Sequence, residues 1–157
     1  MKKYLIIVIL VIAGITAVAG ITDGFITKSP GRNIWDILMK VKWVKAYDKK
    51  FETNSYVPKF NKEIQALNGK VITIKGYLIP VDLYGGGEFA IISALPVASC
   101  FFCGGAGPET VMEVYTKQKI TPDNTGKIAF QGRLELNPDD ADHLIYILRD
   151  AKPLYGG

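Results

Sequence analysis

The chain has 157 residues, of which 48% are hydrophobic and 22% charged, with two cysteines and one histidine. Once an N-terminal targeting segment is set aside, that length suits one core and argues against a second domain. Lys2 and Lys3 are the only charges before Asp23, so removing them from the formal net charge of +4 leaves +2 for the remainder, too little to point to nucleic acid.

Residues 4–21 form an uncharged apolar run behind those two lysines. As a helix rising about 1.5 Å per residue it reaches about 27 Å, close to the ~30 Å of a bilayer core. Ala17, Val18 and Ala19 also give the small-x-small pattern of a signal-peptidase site, with cleavage after Ala19. Residues 1–21 are therefore a signal peptide or a transmembrane anchor, and the membrane is a partner through residues 4–21. No cysteine near the end of the run offers a lipid anchor in its place. Both readings put the rest of the chain outside: on the extracytoplasmic face of the cytoplasmic membrane, or periplasmic or secreted if cleaved. Residues 22–33, with Gly24, Ser29, Pro30 and Gly31, read as a linker, and residues 34–157 as one β-rich domain.

In chain order, Ile34, Trp35, Ile37 and Leu38 suggest a helical turn that leads into a strand near Met39 to Lys45. Phe60, Ile64 and Leu67, with Asn61 as cap and Gly69 as stop, predict a short helix over 61–68. The alternation from Lys70 to Leu83 predicts the longest strand, and Gly85, Gly86 and Gly87 a reversal into a second strand over 89–95. Val111 to Tyr115 and Lys127 to Leu136 are two more strands, with the turn formers Pro122, Asp123, Asn124 and Gly126 between them. Asp139 and Asp140 could open a helix, but the alternation of Leu144, Tyr146 and Leu148 favours a closing strand. The sum is a mainly β, OB-like small barrel with one short helix, a sandwich being the alternative.

Both cysteines lie in one segment, Cys100-Phe101-Phe102-Cys103-Gly104-Gly105-Ala106-Gly107-Pro108-Glu109. A C-x-x-C pair outside the membrane can close a structural disulfide, serve thiol–disulfide exchange, or supply two ligands to a transition metal such as zinc. A redox enzyme places its first cysteine at a helix N-terminus, and Gly104, Gly105, Gly107 and Pro108 argue against a helix there. A metal needs further ligands, for which the candidates are His143 with Glu109 and Glu113, or a second copy's cysteines. His143, beside Asp139, Asp140 and Asp142, is also read as a solvated loop residue. Phe101, Phe102, Gly104, Gly105 and Gly107 form a candidate ligand-facing loop: the glycines suggest a tight turn, and the two phenylalanines, if the loop is extended, cannot both point inward, so one is left to face a ligand or partner. Ser93 and Ser99 lack a G-x-S-x-G context, and Glu109 and Glu113 would converge only on a helix whereas Val111, Glu113 and Tyr115 read as strand positions, which disfavours serine-hydrolase and glycosidase readings.

The runs LNGKVITIKGYLIPVD and SCFFCGGAGPETVMEVY, with GRLELNPDD and LIYILRDAKPL closing the chain, resemble an uncharacterised family of exported bacterial proteins carrying a domain of unknown function. The resemblance implies an exported small β-domain and carries no activity. The expected function is a membrane-tethered accessory or binding module with an envelope protein partner. Transition-metal handling and a thiol–disulfide pair at Cys100 and Cys103 are the alternatives.

Overall fold

A computed structural model of the chain describes residues 33–48, 52–80 and 89–155. The apolar run at 4–21, residues 22–32 of the linker and the Gly85–Gly87 reversal lie outside the described residues. Among the described residues no helix is long and apolar enough to cross a membrane.

Two short helices precede the barrel. Asn33 caps α1 (Ile34–Leu38), its side chain accepting from the Trp35 N–H, and Asn61 caps α2 (Lys62–Gln65) by accepting from the Ile64 N–H at 2.9 Å. Between them β1 (Lys42–Asp48) and β2 (Thr53–Lys59) pair antiparallel as a separate two-stranded ribbon. The remaining strands are β3 (Val71–Ile79), β4 (Ala90–Ser93), β5 (Val111–Val114), β6 (Lys127–Leu136) and β7 (Tyr146–Leu154). They close into a five-stranded barrel in the order β3-β4-β5-β7-β6, with β6 paired back to β3. Every pairing is antiparallel except β5 with β7, which run parallel.

The period of two fills the barrel. Ile72 and Ile74, Ala90 and Ile92, Met112 and Val114, and Phe130 and Leu134 point inward from successive strands and form one buried cluster. Trp35 and Leu38 of α1 and Ile64 of α2 join the same cluster, so the helices extend the core rather than decorate it. Two polar tips fix them there: Trp35 Nε1 donates to the Lys75 carbonyl at 3.0 Å, and the fully buried Tyr146 hydroxyl donates to the Leu38 carbonyl at 2.7 Å. In the turn before β6, the Asp123 carboxylate accepts from the Thr125 hydroxyl and from the N–H groups of Thr125 and Lys127.

Several boundaries differ from the sequence reading. There are two short α-helices among the described residues, not one, and the first strand begins at Lys42 rather than Met39. Residues 137–145 form an irregular connection, so the last strand starts at Tyr146 instead of Leu144. The strand β2 was not foreseen at all: TNSYVPK has no clean apolar alternation, and Pro58 argues against a central strand. It is tolerated because β2 pairs only with β1 among the described strands.

Phe130 is fully buried at the centre of the cluster. Phe130→Ala is expected to lower unfolding free energy by about 3–5 kcal/mol in denaturant titration, through lost burial plus the cavity left behind.

Candidate functional site

Between β4 and β5 the chain makes three single 3-10 turns, Val97–Ser99, Phe101–Cys103 and Pro108–Thr110. The ends of this excursion are tied by the Ala94 N–H donating to the Thr110 carbonyl at 2.9 Å. Inside it, the Cys100 carbonyl accepts from both Cys103 N–H, at 3.1 Å, and Gly105 N–H, at 3.2 Å. Gly104 ends the middle turn in the left-handed region at φ 77°, a conformation that side chains resist. At Gly105 a Cβ would sit 2.7 Å from the Ser99 carbonyl oxygen, so the close approach of these two backbone stretches requires glycine.

The loop is packed onto the outside of the barrel. Ile79, Ile91 and Val111 alternate with inward-pointing residues and so face outward, yet they are buried. Cys100, at 0% exposure, completes a second small core with them, and Phe89, Phe101, Phe102 and Leu144 pack around it. Because the loop turns at 101–103 rather than running extended, both phenylalanines are half-buried against this core, their ring centroids 5.2 Å apart and edge to face. The expectation that one ring must turn away assumed an extended loop. Cys103, Gly104 and Gly105 are exposed at the crest, while Gly107 lies half-buried beneath it.

The two thiols are unbonded and adjacent, one inside and one outside. A hydrogen bond shared with Cys100, reinforced by desolvation and by repulsion from Cys100, pushes the Cys103 thiol above its ordinary pKa. No α-helix begins in the motif to oppose that shift. The shift disfavours a resting thiolate at Cys103.

The carboxylates flanking the loop go to different partners. Glu109, half-buried, accepts from Trp43 Nε1 of β1 at 3.1 Å, which ties the loop to the ribbon. Glu113, only 2% exposed on the outward side of β5, accepts from the Leu144 N–H at 2.6 Å and from the Tyr115 hydroxyl at 3.1 Å. Its Oε2 is also 3.1 Å from His143 Nδ1. With Nδ1 engaged by Glu113, Nε2 is the ring nitrogen left for any metal. Arg149 stacks its guanidinium 4.2 Å from the centroid of the Tyr115 ring and pairs with Glu135.

The residues singled out from sequence thus divide. Cys100, Cys103, Phe101, Phe102 and the glycines share one loop, Glu109 buttresses it from the ribbon side, and His143 joins Glu113 across the barrel surface. Among the described residues no group of three or more His, Cys, Asp and Glu side chains is placed to hold a metal ion. Trp43 and Tyr115 escaped the sequence reading; the signal for Tyr115 was the lone acid in Val-Met-Glu-Val, which must find donors if the strand is buried on both faces. Compared with family models, curated proteins and solved structures, the chain matches none.

Cys100→Ser places a hydroxyl in an apolar pocket and is expected to cost about 1–3 kcal/mol in denaturant unfolding, whereas Cys103→Ser at the exposed crest stays within about 0.5 kcal/mol. The raised pKa has a kinetic consequence for the reduced protein. Iodoacetamide should modify Cys103 alone, with a pH–rate midpoint above the ordinary 9.0 of a free thiol, as read by peptide mass spectrometry. A midpoint below that value would contradict the shared hydrogen bond.

Proposed function

We propose that this chain is an exported, membrane-tethered binding module of the OB-like type, whose contact surface is the crest of the cysteine loop. The observation that carries the reading is the loop's construction. A dedicated second core, the Gly105–Ser99 contact and the Trp43–Glu109 bond hold its base, while Cys103, Gly104 and Gly105 stand exposed. A rigidly presented external loop on a closed barrel is a common way for a small β scaffold to recognise a partner. The order β3-β4-β5-β7-β6, with one parallel pair, supports the OB-like assignment. Kinship with the exported proteins suggested by Cys100–Glu109 belongs to the same proposal, as does a partner in the envelope.

A second reading is favoured by the contact between the thiols: Cys100 and Cys103 form a reversible disulfide that stiffens or releases the crest. Transition-metal handling gains less, since Cys100 at 0% exposure is closed to a metal shared with another copy.

Cys103 is the exposed thiol and Cys100 the buried one, which supplies a native attachment point. A thiol-linked photo-crosslinker on Cys103 of the full chain in its own membranes is expected to yield a discrete adduct. The same probe on Lys152→Cys in a Cys103→Ala background, an exposed position on β7, should not yield it. Equal adducts at both positions, or none at Cys103, would refute the crest as the contact surface.

A further inference from the structure

Lys75 and Tyr77, two residues apart on β3, point to the same outer side of the barrel, and Lys127 of β6 sits directly opposite Tyr77. With Trp35 of α1 and with Asp123 and Thr125 of the turn before β6, they line a cleft of about 520 Å³, within the range of small-molecule sites. No residue of the cysteine-loop crest lines it. Its walls are fixed by the protein's own bonds. Trp35 Nε1 donates to the Lys75 carbonyl, the Leu78 N–H donates to the Gly126 carbonyl at 2.9 Å, and the Lys75 ammonium lies 3.2 Å from Asp123 Oδ2.

The polar groups of the cleft are unevenly satisfied. The Thr125 hydroxyl, followed by the Lys127 N–H, holds the Asp123 carboxyl well below the usual carboxylate range, so it stays ionised and offsets the charge of Lys75. Lys127 pairs with no carboxylate among the described residues. Its ammonium lies 4.5 Å from the centroid of the Tyr77 ring, which positions the charge without neutralising it. The Tyr77 hydroxyl has no partner among the described residues, and Asp123 Oδ2 meets Lys75 alone and can accept again. One uncompensated positive charge, one free hydroxyl and one free acceptor position therefore face the same space. The volume is many times the ~30 Å³ of a water, so an anionic group would arrive on a larger body, and the groups beside Lys127 suit hydroxyls rather than hydrocarbon.

We propose that this cleft binds a hydroxylated organic monoanion of the acidic-sugar class, with its carboxylate on Lys127 and its hydroxyls on Asp123 Oδ2 and the Tyr77 hydroxyl. The inference is independent of the crest as a contact surface.

The test titrates D-glucuronate, D-glucose and acetate separately into the isotope-labelled full chain in neutral detergent micelles and follows backbone amide shifts. Glucuronate should shift the amides of 75–77 and 123–127 saturably, with glucose and acetate each binding about tenfold more weakly, since one lacks the charge and the other the hydroxyls. Lys127→Met should weaken glucuronate about tenfold and Tyr77→Phe several-fold. Both keep the backbone bonds of the turn, and unshifted amides across 146–154 confirm the fold. Lys152→Met, at an exposed position on β7, should leave the affinity unchanged. Acetate as effective as glucuronate would reduce the cleft to a counter-ion site and overturn the proposal, and glucose as effective would overturn the role of Lys127. Shifts that do not saturate, that persist in Lys127→Met, or that fall on residues 100–105 instead would overturn it as well.

Discussion

Barrel closure rests on the parallel contact between β5 and β7, in which Glu113 pairs with Ile147 and Val114 with Leu148. The strand β5 is four residues long and buried along its whole length. Its inner side chains fill the barrel, and its outer ones lie beneath the cysteine loop and the 137–145 connection. The one charge on the strand therefore has to be satisfied in place, since an unpaired buried carboxylate would be severely destabilising. Glu113 meets that requirement by gathering the Leu144 N–H, the Tyr115 hydroxyl and His143. These donors lie just before β7 and just after β5, so satisfying the carboxylate also fixes where β7 enters the barrel. The 137–145 connection is organised from its other end by Asn137, whose amide donates to the carbonyls of Asp140, His143 and Leu144.

The cysteine loop follows from the same strand. Ile79, Ile91 and Glu113 form one outward row across β3, β4 and β5, and the loop that joins β4 to β5 has only to fold back to cover its apolar part. Cys100 is the residue it inserts. A thiol there behaves as a small apolar side chain, which explains why the first cysteine of the motif is the inaccessible one. In a thiol exchanger the first cysteine is the exposed nucleophile, stabilised as thiolate by a helix N-terminus. Here the polarity is reversed and the exposed partner has its thiol stabilised instead.

Much of the barrel is legible in the sequence because its strands are governed by period two and by strong turn formers. Lys127 to Leu136 keeps its predicted bounds, and Asn61 caps α2 as its position suggests. What escaped depends on contacts between distant segments. The ribbon strand β2 has no apolar face to advertise it, since its stability comes from β1 and from Trp43 reaching the loop. Of the two acids grouped with His143 from sequence, the structure brings it to Glu113, 30 positions away, and takes Glu109 to Trp43 instead. The placement of both phenylalanines needed the 3-10 turn at 101–103, a feature that two adjacent aromatics do not reveal by spacing.

The bond from Trp43 to Glu109 joins the two-stranded ribbon to the cysteine loop. One end is the base of the tyrosine- and lysine-bearing ribbon, and the other is the last turn of the cysteine loop. Both residues are half-buried, so the bond is shielded from competing water and holds a defined geometry.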